Sequence, residues 1–141
     1  MPVPTYTPLE MIDRLVSFDT TSRESNLDLI DFVSAYLSEY GVESQRVYDD
    51  SGTKANLFAT IGPDTEGGIV LSAHTDVVPV DGQEWDSDPF SVTMKRGRLY
   101  GRGTSDMKSF PALFLSMLPQ FLAADLHIPV HLALSYDEEV G

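Results

Sequence analysis

The strongest constraint on the fold is a pair of largely apolar runs, at residues 68–73 and 128–135. Runs that do not alternate regularly with polar residues are typical of strands that are buried on both faces of a sheet. His74 follows the first run directly, and Asp137 lies just beyond the second. The sequence therefore predicts two buried strands that end at ionisable side chains.

Periodicity in the rest of the chain predicts helices and further strands around these runs. Apolar residues at helical spacing predict helices at residues 8–18, 24–40 and 107–124. We expect Pro111 to lie in the first turn of the third helix, and Pro119 to kink or end it. Further strands are expected at residues 42–47 and 55–61, and a hairpin at residues 90–94 and 98–100. This order predicts an α/β domain with a central mixed sheet flanked by helices.

Composition excludes several classes of function. With a net charge of −13, the surface repels phosphate backbones, so we expect no nucleic-acid partner. No segment approaches the roughly 20 apolar residues of a membrane span, and residues 1–11 lack a signal-peptide pattern, so we expect no membrane association. The chain has no cysteine, which suits a cytoplasmic protein and leaves imidazole and carboxylate groups to hold any metal.

Three short segments carry most of the chemically active side chains. They are AHTDVVP at residues 73–79, GRGTSDMK at residues 101–108 and YDEEVG at residues 136–141. Each is expected just past the C-terminal end of a strand, where ligands bind in open α/β sheets. Solubility alone does not explain three ionisable clusters at one edge of one sheet.

His74 and Asp76 form the first candidate pair. A neutral imidazole is a good zinc ligand, and residues two apart in an extended segment point to the same side. The Asp76 carboxylate can then accept a hydrogen bond from the second ring nitrogen of His74, which fixes the tautomer and makes the ligand more basic. The alternative is a core histidine that a neighbouring carboxylate satisfies.

Asp106 precedes the long apolar helix. Aspartate is a good N-cap, so one interpretation is purely structural. In the other, the two oxygens of this carboxylate bridge a pair of metal ions, which lie about 3.5–4 Å apart in two-metal sites. The two roles are compatible.

Asp137, Glu138 and Glu139 are three adjacent acids at the end of a strand. Their mutual repulsion requires a counter-charge, which a metal ion would supply. If the chain stays extended here, neighbouring side chains point to opposite sides, so one glutamate can bind metal while the other faces a metal-activated water. The alternative is an exposed acidic turn.

Other side chains near these segments have simpler interpretations. Trp85 and Phe90 either line a substrate pocket or pack against the protein. We expect Arg102 and Lys108 to balance nearby acids rather than to bind a substrate carboxylate. His131 alternates with apolar residues, which is typical of a core or surface histidine.

The motifs HTDVVP, GRGTSDMK and DEEVG, in this order and at this spacing, resemble those of the M20 family of metallopeptidases and amidohydrolases. The resemblance spans nearly the whole chain. Within the family, the segments GGIVLSAHTDVVP and W-x-x-DPF resemble members that deacetylate N2-acetyl-L-ornithine. At position 109 this chain has serine where the family usually has glycine. The difference bears on the expected local backbone geometry more than on the expected chemistry. The resemblance also implies a cis peptide bond between Asp106 and Met107.

The resemblance implies a role for each candidate site residue. His74 would ligate the first of two Zn²⁺ ions, with Asp76 orienting it, and Co²⁺ is a possible substitute metal. Asp106 would bridge both ions and Glu139 would ligate the second. Glu138 would be the general acid and base. Asp76 and Glu138 are thus the candidate catalytic residues, and His74, Asp106 and Glu139 the candidate metal ligands.

The resemblance also implies what lies outside this chain, because members of the family are longer. We expect a zinc-peptidase-like domain that is incomplete at its C-terminus, with residues 1–141 as the N-terminal part of the catalytic, metal-binding domain. The rest of that domain and the dimerisation domain would be absent. The chain alone would then be inactive and bind metal weakly, whereas the complete enzyme would be a cytoplasmic homodimer.

The reaction implied for the complete enzyme is the hydrolysis of N2-acetyl-L-ornithine to ornithine and acetate, a step of arginine biosynthesis. Its partner is therefore a small N-acyl amino acid. Alternatives within the family are succinyl-diaminopimelate desuccinylase, aminoacylase and carboxypeptidase activities. A different class is an inactive metal-binding or interaction fragment.

Overall fold

The computed structural model describes residues 2–141. In chain order the elements are α1 (Pro8–Val16), α2 (Leu27–Glu39), β1 (Ser44–Tyr48), β2 (Ala55–Ile61), β3 (Ile69–His74), β4 (Thr93–Lys95), β5 (Arg98–Tyr100), α3 (Ser109–Ser116), α4 (Leu118–Ala123) and β6 (Val130–Ser135). A single 3₁₀ turn, Glu138–Val140, follows β6. All the predicted helices and strands are present, with ends that differ by a few residues.

Four strands form one mixed sheet in the order β1-β2-β6-β3. β1 and β2 are antiparallel, as are β2 and β6, whereas β3 lies parallel to β6. β4 and β5 form a separate hairpin. The helices α2 and α3 pack against the four-stranded sheet, and α1 packs against α3. The predicted α/β fold with a central mixed sheet flanked by helices is therefore confirmed.

Local sequence chemistry accounts for the start of α1. Thr7 and Glu10 form a capping box, in which the Glu10 N–H donates to the Thr7 hydroxyl at 3.2 Å and the Thr7 N–H donates to the Glu10 carboxylate at 2.7 Å. Pro8 occupies the first helical position, where its missing N–H costs no hydrogen bond. The helix then buries Met11 and Leu15 in the core.

The helix predicted at residues 107–124 is divided into α3 and α4. Pro111 lies in the first turn of α3, and Pro119 lies at the second position of α4, directly after the break. Since Pro119 has no N–H, it cannot donate to the carbonyl of Leu115 four residues earlier. The buried hydroxyl of Tyr36 donates to that carbonyl at 2.8 Å instead. Tyr36 belongs to α2 and Leu115 to α3, so this hydrogen bond at the break links the two helices.

The prediction that both apolar runs are buried on two faces is wrong. β3 is an edge strand, and Ile69 and Val70 are more than half exposed. β6 buries Val130 and Leu132, whereas His131 between them is only partly buried. The core lies on one face of the sheet. An apolar run indicates that a strand belongs to a sheet, but it does not determine how many faces are covered by neighbouring elements.

Within residues 2–141, none of the helices combines the length and the hydrophobicity that a membrane crossing requires.

The start of β3 depends on a close backbone approach. Gly68 has φ +107°, and a Cβ at this position would lie 2.8 Å from Pro129 Cγ and closer still to the Pro129 carbonyl oxygen. That oxygen accepts a hydrogen bond from the Ile69 N–H at 3.0 Å. Gly67 has φ +82°, but a Cβ there would meet nothing within 4 Å.

These neighbouring glycines give a matched pair of substitutions. We expect Gly67→Ala to lower the free energy of unfolding by about 1 kcal/mol, because alanine disfavours a positive φ. Gly68→Ala should cost about 1–3 kcal/mol more, because its Cβ also overlaps Pro129. Urea unfolding of both variants measures the difference, and equal losses would contradict the close approach.

Candidate functional site

Parallel pairing brings two of the three active segments to the same edge of the sheet. His74 at the end of β3 pairs with Ser135 at the end of β6, and the Thr75 N–H donates to the Ser135 carbonyl at 2.7 Å. The residues that follow each strand therefore emerge side by side. The third segment, which contains Asp106, reaches this edge from the loop after β5.

Four predicted site residues converge at this edge. The His74 Nε2 atom lies 3.0 Å from Asp106 Oδ1. His74, Asp106 and Glu139 each offer one ligand atom, and these atoms lie within 4.8 Å of one another. Glu138 Oε2 lies 3.7 Å from His74 Nε2. One imidazole nitrogen and several carboxylate oxygens therefore face a common point.

The orientation of the imidazole is set by the main chain. His74 is buried, and its Nδ1–H donates to the main-chain carbonyl of Asp76 at 2.9 Å. The Asp76 carboxylate lies farther from Nδ1, at 3.4 Å. The sequence predicted a hydrogen bond from His74 to this carboxylate, but the bond goes to the backbone carbonyl of Asp76 instead. Nε2 is thereby directed at Asp106. Burial lowers the pKa of His74, but the hydrogen bonds to Asp106 and Asp76 outweigh it and raise the pKa above its usual value.

The Asp76 carboxylate has a different task from the predicted one. Its oxygens accept the Ser22 hydroxyl at 2.6 Å and the backbone N–H groups of Glu138 and Glu139, each at 3.1 Å. Burial acts to raise the pKa of Asp76, but these donors, led by Ser22, lower it overall. Asp76 therefore remains an anion that anchors the two glutamates through their backbone.

The segment after β6 turns instead of staying extended, which corrects the sequence interpretation. Asp137 adopts a left-handed conformation with φ 60°, and Glu138–Val140 form the 3₁₀ turn. Both glutamate side chains consequently lie near His74, although alternation had predicted opposite sides. Burial, followed by the charge of Asp106, raises the pKa of the Glu139 carboxyl.

The donor set fits a divalent cation such as zinc. A neutral imidazole nitrogen and carboxylate oxygens are zinc ligands. With Nδ1–H committed to a carbonyl, a neutral His74 offers only a lone pair at Nε2, so it and the nearby carboxylates would face each other as acceptors. A cation between them would satisfy all of these groups.

Asp106 does not cap the helix that follows it. α3 begins at Ser109 and its N-cap is Lys108, so the capping interpretation is wrong. The peptide bond between Asp106 and Met107 is cis, as the resemblance implies. The Asp106 side chain is mostly exposed and is free to face His74.

Lys108 and Arg102 form hydrogen bonds to uncharged groups, although the sequence predicted that they balance nearby acids. The fully buried Lys108 donates from Nζ to the carbonyl of Phe18 at 2.7 Å, and this burial lowers its pKa to about 7. The Arg102 guanidinium lies 5.3 Å from the ring centre of Trp85 and donates to the Gln83 side chain. Lys108 thus supports the backbone, and Trp85 packs against Arg102.

His131 lies away from the cluster. It occupies the second position of β6, where its ring nitrogens bond the Thr60 hydroxyl at 2.7 Å and the Gly67 carbonyl at 2.9 Å. It is a surface histidine, as expected.

Thr20 and Asn26 form buried hydrogen bonds to Thr75 that were not predicted from the sequence. We call these three residues the buried frame. The Thr20 hydroxyl donates to the Thr75 carbonyl at 2.5 Å. The Asn26 amide donates to the Thr75 hydroxyl at 2.9 Å and exchanges two further bonds with the backbone of Ala55. These residues are 49–55 positions from Thr75, so no local spacing links them. Their only sequence signal is a polar stretch beside two apolar helices.

Comparison with known proteins shows that this chain is similar to known hydrolases. Residues 70–141 match the family model described as peptidase family M20/M25/M40. The chain is 38% identical to the acetylornithine deacetylase of Proteus mirabilis, covering 96% of this chain and 35% of that protein. It is 37% identical to the acetylornithine deacetylase of Pasteurella multocida, covering 95% of this chain and 35% of the relative. The chain therefore spans about a third of the length of these relatives.

Two solved structures share the fold. Human carnosine dipeptidase 1 superimposes with a TM-score of 0.82 at 23% identity, over 95% of this chain and 32% of that structure. An M20 family metallo-carboxypeptidase from Sulfolobus solfataricus gives a TM-score of 0.81 at 24% identity, over 96% of this chain and 32% of that structure. At this identity the two likenesses concern the fold alone.

The buried frame yields a prediction about stability. Thr20→Val keeps the side-chain shape but removes the donor to the Thr75 carbonyl, so we expect the free energy of unfolding to fall by about 1–3 kcal/mol. Thr60→Val is the control, because its hydroxyl is exposed beside His131, and should change stability by no more than about 0.5 kcal/mol. Similar losses in both variants, measured by urea unfolding, would contradict the role of Thr20.

Proposed function

The chain belongs to peptidase family M20/M25/M40, and on that premise we propose that the full-length protein containing it is a zinc-dependent amide hydrolase that deacetylates N2-acetyl-L-ornithine. The observation that carries this proposal is the convergence of His74, Asp106 and Glu139, whose ligand atoms lie within 4.8 Å of one another beside Glu138. Full-length here means the length of the curated relatives, of which this chain spans about a third.

The substrate is proposed from the relatives. Several acetylornithine deacetylases are 36–40% identical to this chain over at least 84% of it. The products would be ornithine and acetate, which places the reaction in arginine biosynthesis. From the family resemblance we further propose that the full-length protein is a cytoplasmic homodimer.

Each residue at the site has a proposed role. His74 and Asp106 would hold one zinc ion, and Asp106 and Glu139 a second, so Asp106 would bridge the pair. Asp76 fixes His74 through its main-chain carbonyl and holds Glu138 and Glu139 through its carboxylate. Bound zinc would supply Lewis acidity and a lowered pKa for water.

The chemistry of this chain's own residues then centres on Glu138. Its carboxylate is more than half exposed, so it is open to water and substrate, and it lies 3.7 Å from His74. As the general base it would take a proton from the attacking water. It would then return that proton to the departing amine as the general acid.

Metal binding tests the candidate ligands. In the 141-residue chain, His74→Ala and Asp106→Asn should each weaken Zn²⁺ binding by at least about 10-fold, the lower limit for losing even an outer partner of a metal site. Titration calorimetry measures the affinity. His131→Ala is the matched control, because it removes an imidazole that lies outside the cluster. Unchanged binding in the first two variants, or an equal loss in the control, would refute the proposed ligands.

Turnover tests the role of Glu138. In the full-length protein, Glu138→Ala should lower kcat for N2-acetyl-L-ornithine by about 10²–10⁴-fold, the usual contribution of a general acid and base. Zinc content, measured by atomic absorption, should not change, because Glu138 is not a proposed ligand. Retained turnover in Glu138→Ala would show that Glu138 is not the general acid and base.

A substrate panel in the same assay separates the rival activities of the family. N2-acetyl-L-ornithine should give a higher kcat/KM than N-succinyl-diaminopimelate, other N-acyl amino acids or dipeptides. A preference for one of those compounds would replace the proposed substrate.

A further inference from the structure

We propose that Lys54 is a positioning residue for the acidic turn, which we define as residues 137–139. The proposal rests on the proposed function, because it concerns how Glu138 and Glu139 are presented beside His74. Lys54 lies directly before β2, and it was not a candidate in the sequence analysis.

The contacts of Lys54 link two of the segments that build the site. Its side chain is only 16% exposed, and its Nζ lies 2.5 Å from Asp137 Oδ1. The same nitrogen donates to the main-chain carbonyl of Ser22 at 2.5 Å. A partly buried lysine that binds two fixed acceptors is held in one conformation. It is therefore a rigid link rather than a mobile surface charge.

Asp137 adopts an uncommon backbone conformation, which its neighbours hold in place. Its φ of 60° places it in the left-handed region, which most residues with a Cβ disfavour and which aspartate and asparagine tolerate best. This conformation produces the turn that brings Glu138 and Glu139 back toward His74. Lys54 holds the Asp137 side chain, and Asn56 on β2 accepts the N–H of Tyr136 at 3.2 Å. The start of β2 thus supports the acidic turn from one side.

Ser22 joins this support to Asp76. The Ser22 carbonyl accepts Lys54, and its hydroxyl donates to the Asp76 carboxylate. That carboxylate in turn accepts the N–H groups of Glu138 and Glu139. The hydrogen bonds therefore run in a closed ring from Lys54 through Ser22, Asp76 and the acidic turn back to Lys54. Loss of Lys54 opens the ring between Ser22 and Asp137.

Positioning and simple electrostatics predict opposite effects on metal binding. Lys54 is a cation close to the acidic turn, so removing its charge alone would strengthen the binding of another cation. If Lys54 instead acts by fixing the acidic turn, its removal weakens cation binding. The sign of the change therefore separates the two explanations.

The first experiment measures the turn without metal, using amide hydrogen exchange of the 141-residue chain. In Lys54→Met, the amides of Glu138 and Glu139 should lose at least about 10-fold in protection relative to those of Leu132 and Leu134 in β6. Lys95→Met, which removes an equal charge from the exposed hairpin, should change none of them. Unchanged protection at Glu138 and Glu139, or an equal loss at all four amides, would overturn the proposal.

The second experiment measures Zn²⁺ affinity by calorimetry. Lys54→Met should weaken binding by about 10-fold or more, as for other residues that orient metal ligands. Lys54→Arg, which keeps the charge and the donors, should restore most of the affinity. Equal or tighter binding in Lys54→Met would overturn the proposal.

A double variant tests whether Lys54 acts through Asp137. Asp137→Asn removes the ion pair but keeps a residue that tolerates positive φ. Lys54→Met combined with Asp137→Asn should bind Zn²⁺ no more weakly than the weaker single variant, and additive losses would overturn the proposed route. If the unsubstituted full-length protein binds no Zn²⁺, the metal role of the site fails on its own, while hydrogen exchange still decides whether Lys54 fixes the acidic turn.

Discussion

The buried carboxylate of Asp76 holds together the edge of the sheet on which the site is built. It accepts donors from Ser22, Glu138 and Glu139, which belong to segments 54–63 residues away from it in the chain. A buried anion is stable only when such donors surround it. Because the same residue's carbonyl fixes the His74 ring, one aspartate sets both the imidazole and the glutamates.

The balance of charge at this edge explains why so many acids tolerate one another. The sequence suggests a metal ion as the counter-charge for residues 137–139. The structure shows that the protein supplies part of it, since Lys54 pairs with Asp137. Glu138, Glu139 and Asp106 receive no such cation from within residues 2–141, and His74 is the basic group that faces them. Charge compensation is thus divided between a lysine that fixes the backbone and an acceptor cluster that suits a cation.

The sequence predicts the elements and the identity of the converging residues better than it predicts their geometry. Strand signals located β2, the apolar run at residues 68–73 located β3, and the motifs placed His74, Asp106 and Glu139 at one edge of the sheet. The turn at Asp137 was not predicted from the sequence, because positive φ in a non-glycine residue depends on tertiary support such as Lys54. The roles of Thr20 and Asn26, whose partners lie far away in the chain, were not predicted either. Long-range hydrogen bonds leave no periodic trace in a sequence.

The parallel pairing of β3 with β6 has a consequence for the binding of the proposed metal. His74 is paired with a residue 61 positions later, and Asp106 arrives from a third segment. An extended polypeptide therefore contains no preformed group of these donors, and they converge only in the native state. By linkage, an ion at 100 times its dissociation constant would then add about 2.7 kcal/mol to the stability of that state. Metal supply and the persistence of the native protein would in this way be thermodynamically coupled.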